Sequence, residues 1–158
     1  KAPVVDFNKI FRTWLAKHAA QKVARISEKT RTDIQKAVEA AVERGEGIAA
    51  IAKEIRERTS GLSFSRSEVI ARTEVHQAAM AAQNQVLELM DVPDVRREWI
   101  AVDDERTRKS HRAANGQIRK QDEPFTVGGA KLMFPGDPDG PPGETISCRC
   151  ALAPVIPD

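Results

Sequence analysis

The segment LELMDVPDVRREWIAV, residues 87–102, divides the 158-residue chain into two parts of different character. Before it, apolar residues recur at the three- and four-residue spacing of amphipathic helices. After Pro93 comes a short β-prone run, Glu98 to Val102, and eight of the nine prolines follow residue 92. The sequence therefore predicts an α+β fold. A helical N-terminal part, residues 1–92, precedes a small loop-rich α+β module, residues 93–158, with a short antiparallel sheet.

About four helices are expected in the N-terminal part. One shows the pattern clearly, with an apolar stripe formed by Ile34, Ala37, Val38, Ala41 and Val42. The last and longest helix is predicted over residues 65–90. Ser65 or Ser67 is its expected N-cap, because a serine hydroxyl can accept hydrogen bonds from the free amides of the first turn.

A helix is also expected in the module, from Asp103 to about Ala114, with Asp103 or Asp104 as its cap. On such a helix Asp104, Thr107, Arg108 and His111 would share one face. Asp104 and Arg108 would then lie one turn apart and form an ion pair that orients His111 or the loop from Pro135 to Gly143.

The end of the module is expected to contain a loop and a strand. The run from Pro135 to Gly143 holds too many prolines and glycines for regular pairing, so it is predicted to be a loop. A final strand is expected from Thr145 to Ile156. Because this segment and the Trp99 segment are both short and β-prone, we expect the two to pair.

Composition narrows the class of protein. Hydrophobic residues make up 41% and charged residues 30% of the chain, which is typical of a soluble globular protein. No apolar run approaches the roughly 20 residues of a membrane helix, and the first residues lack the apolar core of a signal peptide. The chain opens at Lys1 without an initiator methionine, so we expect it to be trimmed or part of a longer protein.

Charge is distributed unevenly. Residues 1–60 hold 13 Lys and Arg against 8 Asp and Glu, whereas the remainder holds 12 against 15. A mildly basic helical half could contact phosphates without sequence preference, but the same charges are typical of solvated helix faces. Non-specific DNA binding through residues 1–60 therefore stays an alternative.

Two cysteines, Cys148 and Cys150, suggest a metal site. Alternate side chains of a strand share a face, so both sulfurs would point the same way. Thiolates are strong zinc ligands, and His111 is the best candidate for a third ligand. The candidates for the fourth position are Asp104, Asp137 or a water molecule. The alternative is a small buried cluster without metal. Either version predicts that His111 and the two sulfurs lie within side-chain reach.

Enzymatic interpretations have less support. A Cys–His nucleophile pair or a phosphoryl-transfer site around His111 could be assembled, but the sequence shows no third group, oxyanion loop or phosphate-binding glycine loop that singles one out. We therefore assign no catalytic and no organic-cofactor residues and predict that the chain is not an enzyme. A zinc-dependent or Cys/His hydrolase is kept as the alternative.

The order of motifs over about residues 65–153 resembles the phage head-morphogenesis family typified by the F protein of phage Mu. Ile70-Ala-Arg-Thr-Glu74 opens a long helix, and Trp99 and Asp103-Asp-Glu-Arg-Thr-Arg-Lys-Ser-His111 follow. Then come Asn115-Gly116, Phe134-Pro-Gly-Asp-Pro138 and Cys148-Arg-Cys150. The matching positions are Arg72, Thr73, Glu74, Asp104, Arg106, Arg108, His111, Gly116, Pro135, Gly136, Asp137, Pro138, Cys148, Arg149 and Cys150.

Two departures from the family pattern are mild. Many members carry Asn directly before Cys-Arg-Cys, where this chain has Ser147. Many also carry Asn about two turns after Arg-Thr-Glu, whereas Met80 occupies that zone here and Asn84 comes a turn later.

The resemblance implies a minor capsid protein that acts in procapsid assembly near the portal vertex, with a role in DNA packaging or delivery. The implied partners are the portal protein, the major capsid or scaffold protein, and phage DNA bound without sequence preference; no membrane is involved. The implied location is the virion, in the capsid interior or at the portal vertex, and the host cytoplasm during assembly. Related domains also occur fused to toxin modules, so a cargo-packaging role is a further alternative.

Overall fold

The computed structural model describes residues 4–90 and 92–157. The N-terminal part consists of helices α1 (Phe7–His18), α2 (Glu28–Glu43), α3 (Ile48–Arg58) and α4 (Phe64–Leu89). The module contains β1 (Arg96–Ile100), α5 (Lys109–Ala114), β2 (Ile118–Arg119), β3 (Phe125–Val127), β4 (Ala130–Leu132), α6 (Pro142–Thr145) and β5 (Ala151–Val155). This architecture confirms the predicted α+β fold, with helices first and a short antiparallel sheet after them.

Side-chain caps set where three of the helices begin. The Asp6 and Ser27 side chains accept hydrogen bonds from first-turn amides of α1 and α2. The cap of α4 is Ser63, whose hydroxyl accepts a bond from the Arg66 amide, so the prediction of Ser65 or Ser67 was wrong. Ser67 instead donates its hydroxyl proton to the Ser63 carbonyl one turn back.

Helix α4 is the centre of the helical part, because both α1 and α3 pack against it. The core between the helices is aliphatic, with Leu15, Ile34, Val38, Ile51 and Ile55 at most 1% exposed. Full burial of such a side chain stabilises the fold by about 1.5–3 kcal/mol. None of the helices in residues 4–90 and 92–157 has the length and apolarity that crossing a bilayer requires.

The sheet of the module has the strand order β2-β1-β5, with antiparallel neighbours. Trp99 on β1 is paired with Leu152 on β5, which confirms the predicted pairing of the final strand with the Trp99 segment. A separate hairpin joins β3 to β4 through Gly128 and Gly129, whose φ values of 56° and 80° suit the tight turn.

Residues 103–108 are a loop, so the predicted helix from Asp103 was wrong over its first half. The Asp104 carboxylate accepts a hydrogen bond from the Arg106 amide, and the Thr107 hydroxyl donates to the Val102 carbonyl. Such local side-chain bonds compete with helical ones and hold the backbone in a turn. The helix starts only at Lys109.

The final strand is also shorter than predicted. Residues 142–145 form the short helix α6, and β5 begins at Ala151. Between them Ser147 has a φ of 54°, in the left-handed region that interrupts extended structure. Cys148 and Cys150 therefore lie before the strand, in an irregular segment.

A buried arginine joins helix α4 to the module. Arg97 on β1 is fully buried, and its guanidinium donates to the Asn84 side chain at 2.8 Å. It also donates to the carbonyls of Lys120 and Glu123 at 2.6 Å and to that of Met133. The guanidinium thus fixes two loop segments to one helix, and the side-chain oxygen of Asn84 is the acceptor on that helix.

Glu74 connects α4 to the chain that leaves α1. Its carboxylate accepts a hydrogen bond of 2.9 Å from the amide of Ala20, which has a φ of 63°. Arg31 donates to the Ala20 carbonyl from the other side. Burial raises the pKa of Glu74 to about 7, although the Ala20 bond and the Arg31 charge oppose that shift.

Replacing Arg97 by Met should destabilise the protein by about 3–5 kcal/mol, because buried carbonyls and the Asn84 oxygen lose their donor. The measurement is the urea unfolding midpoint. Arg96→Met is the matched control, since Arg96 is exposed on the same strand, and it should change stability by about 0.5 kcal/mol or less. Equal effects of the two substitutions would contradict the role of Arg97.

Glu74 should make the protein lose stability as pH rises. Its pKa is raised on folding, so its contribution is fully present below the unfolded pKa of 4.5 and is lost as pH passes about 7. The loss amounts to about 3 kcal/mol. Unfolding of wild type and Glu74→Gln should be compared between about pH 5 and about pH 8.

The difference between wild type and Glu74→Gln isolates one group, because other carboxylates titrate equally in both proteins. Glu68→Gln on the same helix is the control, since Glu68 is a partly exposed partner of Arg72. It should leave the slope of stability against pH unchanged. Parallel pH curves for wild type and Glu74→Gln would show that Glu74 is ionised in the fold at all these pH values.

Candidate functional site

The structure brings His111, Cys148 and Cys150 together, which confirms the predicted convergence. Nδ1 of His111 lies 3.3 Å from Sγ of Cys150 and 3.8 Å from Sγ of Cys148. These three atoms all lie within 4.8 Å of one another. The residues are 2%, 5% and 2% exposed for His111, Cys148 and Cys150, respectively, and the cysteines belong to the hydrophobic core of the module.

The imidazole is held by its neighbours. His111 lies on α5, and its ring packs edge-on against Trp99 at a centroid distance of 5.8 Å. Its Nε2 lies 3.0 Å from Oε2 of Glu144, but outside the direction of a regular hydrogen bond. Ser110 donates to the same carboxylate oxygen at 2.8 Å. A Cβ at Gly128 would lie 2.2 Å from the other Glu144 oxygen, so any larger residue there would displace this carboxylate.

Helix α4 holds the backbone that carries the two cysteines. The amide of Ser147 donates to the Thr73 hydroxyl at 3.1 Å, and Nε2 of His76 donates to the Cys150 carbonyl at 2.7 Å. Further along, within β5, the Leu152 carbonyl accepts a bond of 2.8 Å from Gln83. These bonds fix the position of the segment along helix α4 and its orientation relative to the helix.

Arg149 points away from the sulfurs and pairs with Asp104. Two nitrogens of the guanidinium each lie 2.6 Å from a carboxylate oxygen of Asp104, in a bidentate arrangement. Arg149 therefore holds the pKa of Asp104 well below its usual range. The predicted pair of Asp104 with Arg108 was wrong, because the carboxylate faces Arg149. Arg108 donates instead to the Ile146 carbonyl.

The two thiols influence each other's ionisation. A hydrogen bond from the Cys150 thiol, together with the adjacent His111, lowers the pKa of Cys148. The same bond, with burial, raises the pKa of Cys150. Interaction with Cys148 in turn raises the pKa of His111. The lowered pKa favours a thiolate at Cys148 beside the imidazole, an arrangement that is typical of activated thiols.

The proposed fourth ligands lie elsewhere. Asp104 faces Arg149, and the carboxylate of Asp137 accepts hydrogen bonds from the amides of Met133 and Asp139 in its own loop. In the described part of the chain, the group of ligand atoms within 4.8 Å consists of the three residues already named.

The other family positions fall into two groups. Some serve packing: a Cβ at Gly136 would lie 2.9 Å from Nδ1 of His76, so the loop around Pro135 sits directly on α4. Gly116 occupies a turn with a φ of 80°. Arg72 and Arg106 are exposed.

Sequence reasoning missed two residues that shape the cluster. Glu144 was not singled out, because its contact with His111 spans a loop and the hairpin turn at Gly128. His76 was not predicted to be part of the site, although its spacing of three residues after Thr73 could have placed both side chains on one face of α4. No local sequence pattern predicts that His76 bonds to a residue 74 positions away in the chain.

A cleft of about 720 Å³ lies between α4, the segment after α1 and the loop from Pro138 to Ile146. Glu74 and Thr73 contribute to its wall, and Lys22, Arg25 and Arg66 contribute positive charge. None of the three cluster residues lines it. The cleft and the histidine–cysteine cluster therefore lie at separate places along the boundary between the module and α4.

The family described as Phage Mu protein F like protein matches residues 32–153, which is more than half of the chain. The chain belongs to this family.

A curated relative from Enterococcus faecalis, NAD(+)--arginine ADP-ribosyltransferase EFV, is 30% identical over 114 residues. The match covers 71% of this chain but only 23% of the relative, so this chain spans less than a quarter of that protein. No solved structure matches the chain significantly.

The left-handed conformation at Ser147 makes a testable prediction, because its side chain is exposed and only its backbone matters. Asn tolerates this region better than other side chains, so Ser147→Asn should stabilise the protein by a few tenths of a kcal/mol, about 0.5. Ser147→Val should destabilise it by about 1–2 kcal/mol, since β-branched residues avoid positive φ.

Thermal unfolding of the two variants provides the measurement. The same substitutions at the exposed Ser60, which lies outside the positive-φ residues, serve as the control and should differ from each other much less. If Asn and Val at position 147 gave equal stability, the left-handed conformation would not be a constraint.

Proposed function

We propose that the protein is a minor capsid protein that acts by binding other components of the procapsid near the portal vertex, and that it aids DNA packaging or delivery. The family match over residues 32–153 is the observation that carries this proposal. The partners are the portal protein and the major capsid or scaffold protein, with phage DNA as a non-specific partner of the basic N-terminal helices.

The contacts that the family-motif residues make within the fold support a structural role. Thr73 is bonded to the Ser147 amide, Glu74 to the Ala20 amide, and Asp104 to Arg149. Each of these contacts joins segments that are far apart in the chain. The motif residues thus hold distant parts of the fold together, as expected for positions that maintain a shape to be recognised.

Burial of the cluster also favours binding over catalysis. A nucleophile must reach its substrate, whereas His111, Cys148 and Cys150 are 5% exposed or less. The hydrolase alternative would require the segment around Arg149 to open. The bidentate Asp104 pair and the bond from His76 to the Cys150 carbonyl oppose such opening.

Exposed family positions are the candidates for partner contacts. Arg106 lies on the surface of the loop between β1 and α5, and within the described residues no bond of its side chain explains its place in the motif. We assign it to the surface that meets another capsid component. An exposed arginine is suited to this, because it can make several hydrogen bonds to carboxylates across an interface.

A second candidate function is a packaging module attached to an effector. The match to NAD(+)--arginine ADP-ribosyltransferase EFV favours it, because the matched region is 23% of that longer protein. In this version the domain would bring its attached partner into the particle. A reading frame that continues beyond this chain into an effector domain would support it.

The test is assembly in the phage or prophage that encodes the chain. Removing the gene should yield defective heads, and supplying the wild-type protein should restore them. Arg106→Glu should fold with an unchanged unfolding midpoint but fail to restore infectious particles, because the reversed charge repels an acidic partner. Lys131→Glu, a charge reversal at an exposed position on β4 outside the quoted motifs, is the control and should restore them.

A photo-crosslinker at position 106 would identify the partner in assembling heads. Recovery of portal or scaffold protein supports the proposal. Normal infectious heads without the protein, or a cross-link only to DNA, would contradict it, the latter in favour of a nucleic-acid-binding module.

A further inference from the structure

We propose that His111, Cys148 and Cys150 form a binding site for one zinc ion, with Nδ1 of the imidazole and the two sulfurs as ligands. The observation behind it is the convergence of three ligand atoms of the types that zinc prefers, all buried within the core of one small module. The proposal does not depend on the assembly role.

The distances fit tetrahedral coordination. With a zinc–nitrogen bond of about 2.0 Å and a zinc–sulfur bond of about 2.3 Å, tetrahedral angles place a nitrogen and a sulfur ligand about 3.5 Å apart. The two observed separations from Nδ1 of His111, 3.3 Å and 3.8 Å, lie on either side of this value. Shifts of a few tenths of an ångström would therefore suffice to bind the ion.

Glu144 orients the imidazole correctly. Metal-binding histidines usually direct their second nitrogen at a carboxylate or carbonyl, which fixes the tautomer that leaves the other nitrogen free to bind metal. Here Oε2 of Glu144 lies 3.0 Å from Nε2 of His111, off the line of a regular hydrogen bond, while Nδ1 faces the sulfurs. A slight rotation of the ring or of the carboxylate on metal binding would complete that bond. Ser110 holds the same carboxylate, so Glu144 is a positioning residue for the site.

The backbone around the cysteines is held from both sides. The Ser147 amide is bonded to Thr73, and the Cys150 carbonyl to His76. The pair of Arg149 with Asp104 keeps the intervening side chain outside. Both sulfurs are consequently turned inward before any ion binds, which reduces the ordering that binding requires.

The small size of the module indicates that a bound ion would stabilise its fold. Its core rests on few large side chains, chiefly Trp99, Phe125 and Leu132, and small domains are often stabilised by a metal or a disulfide. A thiolate and imidazole set favours zinc over magnesium or calcium, which prefer oxygen ligands. Because the described cluster offers three protein ligands, a water molecule would complete the tetrahedron.

Metal content is the first measurement. The chain purified without chelators from cells grown with zinc should contain about one equivalent of zinc by mass spectrometry. Replacing zinc by Co²⁺ should produce thiolate-to-cobalt charge-transfer absorption and the d–d bands of tetrahedral cobalt. Chelation should lower Tm by roughly 5–10 °C, and added zinc should restore it.

Variants separate ligands from neighbours. Cys148→Ser, Cys150→Ser and His111→Gln should each abolish the cobalt charge-transfer spectrum or weaken it strongly. His18→Gln is the matched control, since His18 is exposed on α1, and it should bind normally. Glu144→Gln should retain the spectrum but bind zinc about 10–100-fold more weakly in competition with a chromophoric chelator, as expected for a positioning residue.

Wild-type protein alone can overturn the proposal, so a variant that fails to fold does not leave it undecided. Folded wild type that contains no zinc, takes up none on titration and gives no cobalt–thiolate absorption would show a packed cluster without metal. Stoichiometric copper or iron in place of zinc would overturn it as well. Thiols that react equally fast with an alkylating reagent before and after zinc addition would also count against it.

Discussion

Hydrogen bonds from one face of α4 to the backbone of residues 147–152 are the constraint on which the rest of the module depends. Thr73, His76 and Gln83 bond to this segment along the length of the helix. An irregular segment has no ladder to satisfy its backbone groups, so the helix supplies the partners. With the segment in place, β5 can pair with β1 and the two sulfurs meet His111.

The same helix carries the second attachment, the Arg97 guanidinium on Asn84. Its other hydrogen bonds go to carbonyls of two loops, so a charged group supplements the small hydrophobic core of the module. The helical part and the module are thus joined by directional polar contacts. Such contacts specify one arrangement, because a shifted register would leave buried groups unpaired.

The structure shows which contacts the residues of the family motifs make. Asp104 and Arg149 belong to motifs 45 residues apart, and their ion pair ties the loop after β1 to the cysteine segment. Gly136 allows the loop around Pro135 to rest on His76. Asn84, offset by a turn from the zone where many members carry Asn, accepts from Arg97. These contacts hold the module and helix α4 in one rigid arrangement.

Sequence alone determined the helical part, the change of character after Pro93 and the strand at Trp99, since periodicity and the order of short elements are local properties. The approach of His111 to the cysteines was predicted from the chemistry of these side chains and the order of the motifs. It misjudged residues 103–108 and 145–150, where Asp104 bonds its own turn and Ser147 adopts a positive φ. The partners of Arg97, Glu74, Asp104 and Glu144 were decided only by tertiary structure. A polar side chain in a sequence shows which kinds of group it can bond to, but not which distant group will lie beside it. That partner matters for stability only in the folded protein, because a polar group that is buried without a hydrogen bond is costly.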